Sequence, residues 1–205
     1  MKIMRNSFLI ISTLVIMIQL LSCASFEIQF QPQAMKSRPK KILIGTFENR
    51  IVEHKPFIIK DFKDALRFEF LKRGYDVELL AVDGSKNTDN ITCEENSIES
   101  YDAKEPQNSK INQLAVTKEA IQQCCKKYSS DMFINGSISI METSELTDSK
   151  DSALISVAIY NNSGERVGEA YYAGSGRMDD AKTIKKISER FAGNIHSKLL
   201  KLRQK

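Results

Sequence analysis

Ile42-Leu43-Ile44, followed closely by Phe47, is apolar on both faces of an extended chain. Successive side chains of a strand point to opposite sides, so a run of this kind belongs in the interior of a sheet, flanked by other strands. Glu48-Asn49-Arg50 ends the run, and Lys55-Pro56 marks a break. A helix is expected over 59–73, because Phe62, Leu66 and Phe70 recur at four-residue spacing beside Ala65, and Gly74 stands where a left-handed C-terminal cap is wanted. Residues 75–82 read as a second strand. Strand, helix and strand in this order form half of an α/β layer.

The second half of the chain repeats these periods. Thr117 is placed to cap a helix reaching 128, with Glu119 in its first turn and Lys126-Lys127 in its last. Met132, Ile134, Ile138 and Ile140 fall on one face at period two, and so do Ile155, Val157 and Ile159. Asn161-Asn162-Ser163-Gly164 supplies hairpin turn chemistry, so 165–173 returns antiparallel. Beyond Gly174-Ser175-Gly176, Asp179-Asp180 opens a long helix whose stripe is Ile184, Ile187, Phe191, Ile195, Leu199 and Leu202, with lysines on the other face. It reads as lying across the sheet, the rival being a helix for a membrane surface or a partner. Residues 83–116 are rich in Asn, Asp, Glu and Ser with only isolated apolar positions such as Ile91, Ile98 and Tyr101. They read as a polar insert with no site of its own, a functional loop being the alternative. The expected fold class is α/β, of the α+β two-layer kind. A mixed four- to five-stranded sheet is packed by two or three helices, with a C-terminal hairpin and a long amphipathic helix. It forms one domain over 40–203 with its insert at 83–116.

What precedes that domain is built like an export signal. Lys2 and Arg5 give a positive start, and 8–21 is an apolar run broken only by Ser12, Thr13 and Gln19, too short for a comfortable membrane span of about 20 residues. It closes on Leu20-Leu21-Ser22-Cys23, which resembles the lipobox of bacterial lipoproteins: leucine at minus three, a small residue at minus one, then the cysteine that becomes the lipidated N-terminus. The resemblance implies a signal peptide at 1–22, removed on export, and acyl chains on Cys23 that anchor the protein to a membrane; an ordinary cleaved signal is the alternative. Several acyl chains hold a protein far more firmly than one. Residues 23–39, with Gln31-Pro32-Gln33 and Arg38-Pro39, read as the lipidated N-terminus and a flexible tether. Ala24-Ser25 after Cys23 lacks an Asp at the second mature position, and this favours the outer over the inner membrane, with a periplasm-facing protein expected. Loss of Lys2 and Arg5 takes the 30 basic residues to 28 against 26 acidic ones, a balance that gives no reason to expect nucleic-acid binding.

With Cys23 acylated, Cys93, Cys124 and Cys125 remain in an oxidising compartment, enough for one bridge and one spare thiol. Cys124 and Cys125 are adjacent on a helix and project about 100° apart, so one should face the core and the other outward, the outward one being the better partner for Cys93. All three staying reduced is the alternative. No metal site is expected, because His54 and His196 are the only histidines and neither sits at ligand spacing from a cysteine. No cofactor is expected either.

Residues 41–49, the helix ending Leu71-Lys72-Arg73-Gly74-Tyr75, the Asp131-Met132-Phe133-Ile134-Asn135-Gly136-Ser137 strand and the closing hairpin and helix together resemble a bacterial envelope group. It comprises lipoproteins related to the curli-secretion lipoprotein, the activator lipoproteins of penicillin-binding proteins, and the N-terminal domain of TolB. A second likeness is to the plug lipoprotein of the lipopolysaccharide-transport complex. These families act through protein contacts, so the resemblance implies a protein partner and transfers no catalytic residue. The residues agree: there is no Gly-x-Ser-x-Gly, His-Glu-x-x-His or phosphate-binding loop, His54 and His196 read as loop and surface-helix residues, and Glu94-Glu95 as solvated. The expected function is that of a lipid-anchored, non-enzymatic accessory or scaffold protein binding a partner in envelope assembly or secretion. The alternative is a surface-displayed lipoprotein that binds ligands or host molecules.

Overall fold

The computed structural model describes residues 25–31, 34, 35, 37–50, 56–80, 117–143, 150–175, 178 and 180–201. The strands are β1 (Ser25–Phe30), β2 (Lys41–Asn49), β3 (Asp76–Leu79), β4 (Met132–Thr143), β5 (Lys150–Asn161) and β6 (Arg166–Ser175). The helices are α1 (Pro56–Leu71), α2 (Lys118–Lys127) and α3 (Ala181–Leu200). The strands form one six-stranded mixed sheet in the order β1-β6-β5-β4-β2-β3. β2 is parallel to both β3 and β4, and the remaining pairs are antiparallel.

β2 lies where its sequence demands, between β3 and β4, with Ile42, Leu43 and Ile44 fully buried. Its two faces feed two cores. Ile42 and Ile44 join Met132, Ile134, Ile155 and Val157 under α1 and α3, whereas Leu43 packs with Phe133, Leu80 and Ile121 under α2. Helices thus cover the sheet from both sides, where a two-layer arrangement was expected. The reason is the order of the strands. The connection from β2 steps to β3 on one side, and that from β3 steps back past β2 to β4 on the other. Right-handed crossovers in opposite directions place their helices on opposite faces.

Local chemistry sets the element ends. Gly74 takes φ 81° after α1 and its N–H donates to the Leu71 carbonyl, while the Tyr75 N–H reaches Phe70, closing the left-handed cap expected there. Thr117 Oγ1 accepts from the Ala120 N–H at 3.2 Å, and Asp180 accepts from the N–H groups of Lys182 and Thr183 at the start of α3. Asp131 Oδ2 accepts from the Lys40 and Lys41 N–H groups, locking the start of β4 to that of β2. At the β5–β6 turn Asn161 Oδ1 accepts from the Ser163 and Glu165 N–H groups, and its Nδ2 donates to the Ala34 carbonyl.

The sixth strand corrects the expectation of a flexible tether over 23–39. Residues Ser25–Phe30 pair antiparallel with β6 along their whole length, Ser25 opposite Ala173 and Phe30 opposite Gly168. Phe26, Ile28 and Phe30 alternate with exposed Ser25, Glu27 and Gln29, a period-two signal short enough to be masked by the prolines that follow it. The apolar members pack on the main core, Phe26 standing edge-on to Phe191 at 5.0 Å. Truncating Phe26 to Ala is expected to cost about 1–3 kcal/mol, less than the roughly 3–5 kcal/mol for fully buried Phe62, in urea unfolding of a soluble chain beginning at Ser25. A change at a tether residue would leave the midpoint unmoved.

Candidate functional site

Of the residues marked by sequence, Leu20, Leu21, Ser22, Cys23, Cys93, His54 and the insert at 83–116 lie outside the described residues. The structure describes the chain from two residues past Cys23. Because β1 starts at Ser25, one end of the sheet lies next in sequence to Cys23: the end that carries Ser25, the last residues of β2, β4 and β6, the first residues of β5, and the N-termini of α1 and α3. The opposite end carries the start of β2, the β5–β6 turn and the C-termini of α1 and α3.

Cys124 is disulfide-bonded and Cys125 is a free thiol, leaving Cys23 and Cys93 as the possible partners of Cys124. The two adjacent cysteines do not divide into an inner and an outer one: they are 0% and 3% exposed and share the cluster of Leu43, Leu80, Ile121 and Phe133. α2 lies on the sheet with Tyr128 and Tyr160 closing its flank, so a residue 100° off the central stripe is still covered. Burial first, and the charge of Asp131 with it, push the Cys125 thiol up, which suits an inert core residue. Proteolytic mapping without reductant is expected to yield a Cys93–Cys124 peptide, with Cys125 modified only after unfolding.

Away from the Ser25 end, α3 and the turn that follows α1 border a groove of about 440 Å³ lined by Arg73, Lys186, Glu189, Arg190, Gly193, Asn194 and Ser197. Its character comes from α3. Between 181 and 201 stand Lys182, Lys185, Lys186, Arg190, Lys198 and Lys201 against Glu189 alone. The lysine face was visible in the sequence, but the contribution of Arg73 from α1 was not, since nothing in the local pattern brings residue 73 beside residue 193. Gly193 permits the approach: a Cβ there would lie 3.3 Å from Arg73 Nη2.

Arg73 is held from below. Its Nη1 donates to the Glu69 carboxylate at 2.7 Å, Lys72 Nζ donates to the same carboxylate at 3.1 Å, and Arg73 Nη2 reaches the Glu189 carbonyl of α3. Glu69 is only 1% exposed. Burial opposes its ionisation, yet the hydrogen bonds and charges of Arg73 and Lys72 outweigh that and hold the carboxyl below its ordinary range. Next to this network His196, read from sequence as a surface residue, is instead half-buried. Its Nδ1 is 3.0 Å from the Tyr75 hydroxyl, its ring stands edge-on to Tyr75, and Arg38 stacks on the other part of that ring at 5.3 Å. Burial first, then the charges of Arg38 and Arg73, lower the His196 pKa, which favours the neutral ring at neutral pH.

This arrangement can present the guanidinium and ammonium groups of Arg73, Arg190 and Lys186, donors suited to carboxylates on an acidic protein surface, while the Asn194 amide and the Ser197 hydroxyl beside them donate to the Arg190 and Gly193 carbonyls within α3. Among the described residues no cluster of His, Cys, Asp and Glu could hold a metal ion, and no helix is long and apolar enough to cross a membrane. Because the native pKa of Glu69 is depressed, its ionised form stabilises the fold above the unfolded value of about 4.3, and this is lost as pH falls through the native value. Glu69→Gln is therefore expected to cost about 1–2 kcal/mol at neutral pH, with the difference from the parent closing in thermal melts taken progressively below about pH 4.

No protein-family model matches the chain, and no curated protein matches it. Among solved structures the fold is similar to that of the PelC dodecamer from Paraburkholderia phytofirmans, with a TM-score of 0.50 at 11% identity over 86% of this chain and 96% of that one. Lipoprotein GNA1162 from Neisseria meningitidis aligns with a TM-score of 0.47 at 12% identity, over 78% of this chain and 99% of that one. At such identity the likeness to PelC is one of fold.

Proposed function

We propose that this chain is a lipid-anchored, non-enzymatic accessory protein of the bacterial cell envelope, held on the outer membrane through Cys23, facing the periplasm, and binding an acidic protein partner through the α1–α3 groove. The observation that carries the reading is the position of β1. A cysteine in a lipoprotein-type signal stands two residues before the first strand, so the anchor attaches to the sheet itself, and the basic groove opens at the other half of the molecule. A surface held this way faces away from the lipid, where a partner in envelope assembly or secretion would meet it. The fold likeness to PelC supports the architecture; the dodecamer is that protein's own.

The test combines anchor and groove. A photoreactive residue at Ser197 is expected to give a discrete crosslinked protein band in intact cells, and Lys186→Glu with Arg190→Glu is expected to reduce that band at least about tenfold, as loss of two charge-assisted contacts would. Cys23→Ala is expected to leave the particulate fraction and to lose its acyl mass. Retention of both in that variant would end the anchor reading. An undiminished crosslink in the charge-reversed variant would end the groove reading. Removal of the protein by protease added to intact cells would point instead to surface display.

A further inference from the structure

Among the described residues, the face of the sheet on which α2 lies is only partly covered. α2 packs on Leu43, Phe133 and Tyr160, toward the end opposite the anchor signal. On the same face, nearer that signal, stand Ser137, Ser139 and Met141 of β4, Ser152, Leu154, Ser156 and Ala158 of β5, and Ala173 of β6. These alternate with the buried Ile138, Ile140, Ala153, Ile155 and Val157. Most of these residues are small or polar, as a wet face should be. Two are not: Met141 is 67% exposed and Leu154 is 49% exposed.

Their register brings them together and beside the anchor. Ser139 pairs with Leu154, and Met141 with Ser152, so Met141 and Leu154 are diagonal cross-strand neighbours, roughly 7–8 Å apart at Cα. Leu154 pairs with Ala173, which pairs with Ser25, so Leu154 lies two strands, or about 10 Å, from the first residue of β1. Only Ala24 separates Ser25 from Cys23, a reach of at most about 7 Å. The Leu154 backbone therefore sits within roughly 17 Å of the acylated position, and Met141 lies farther along the strand toward the same end. The polar zone of a bilayer is several ångströms deep on each side, so side chains this close to an embedded anchor can reach it when the sheet leans with this face toward the lipid.

Resting on the anchor reading above, we infer that the exposed Met141–Leu154 pair is a membrane-contact patch that sits in the interfacial zone of the same bilayer that holds Cys23. The lipid fixes the point of attachment, and the two apolar side chains fix the tilt of the sheet, so the α1–α3 groove is presented at a set angle rather than swinging about one bond. Two modest apolar contacts do not bind a protein to a membrane by themselves. Beside an anchor they act at high effective concentration, where even weak burial orients.

The chain contains no tryptophan, so a single one reports its own position. The acylated full-length protein, purified from bacterial membranes and checked for acyl mass, is reconstituted into phosphatidylcholine vesicles with brominated acyl chains as Met141→Trp, Leu154→Trp and Phe68→Trp. Phe68 is 55% exposed on α1, far from the anchor end, and serves as the control. Fluorescence of the tryptophans at 141 and 154 is expected to be quenched severalfold more than that at 68, and Leu154→Asp in the Met141→Trp background is expected to relieve the quenching at 141. Acylated protein with equal or no quenching at the three positions overturns the membrane-contact patch and leaves the anchor standing. Protein that carries no acyl mass overturns the anchor itself.

Discussion

A line of aromatic edges holds this molecule together. Phe47 on β2 stands edge-on to Phe62 on α1 at 5.3 Å, Phe62 to Phe191 on α3 at 5.8 Å, and Phe191 to Phe26 on β1 at 5.0 Å. The two contacts of Phe191 join elements remote in sequence, and all three bury large apolar surface in a geometry favoured by the ring quadrupole. Through it β2, both helices of the larger layer and the edge strand β1 share one core. The consequence reaches the N-terminus: β1 is an edge strand of the folded unit because Phe26 has Phe191 to meet.

That edge strand decides how a lipid at Cys23 would hold the protein. A tether of some 17 residues would let the folded unit roam over tens of ångströms, whereas a strand beginning two residues on leaves almost no slack. The same end of the sheet would then face the bilayer, with Met141 and Leu154 near it, and the Arg73, Lys186 and Arg190 groove would be carried outward. Orientation follows from strand register rather than from any special contact at the groove.

The reversal of strand order around β2 does comparable work in the interior. Because β3 and β4 flank β2 on opposite sides, α1 and α2 are driven to opposite faces, and Leu43 and Phe133 acquire a second small core. Cys124 and Cys125 are both buried in it. The expectation that adjacent cysteines divide into an inward and an outward one holds for a helix with one covered side, and fails where flanking tyrosines widen the cover.

Local pattern sufficed for β2, β4, β5 and β6 and for all three helices, since each carries its apolar period within a dozen residues and its caps in Gly74, Thr117 or Asp180. The export-type reading of the segment ending at Cys23 rests on charge, length and one cysteine, and that segment lies outside the described residues. Phe26-x-Ile28-x-Phe30 carried its signal too, but three alternating residues cut off by Pro32 have no partner visible along the chain, and only pairing with β6 makes them a strand. His196 and Arg73 show the same limit. Their surroundings, Tyr75, Arg38 and Gly193, come from other elements, and burial, pKa and groove arise from that convergence. Periodicity and capping are written between near neighbours, so sequence alone determined which segments are strands and helices. Which edge β1 joins, which face α2 covers and which cations share a groove depend on contacts across the whole chain, and only the tertiary structure decided them.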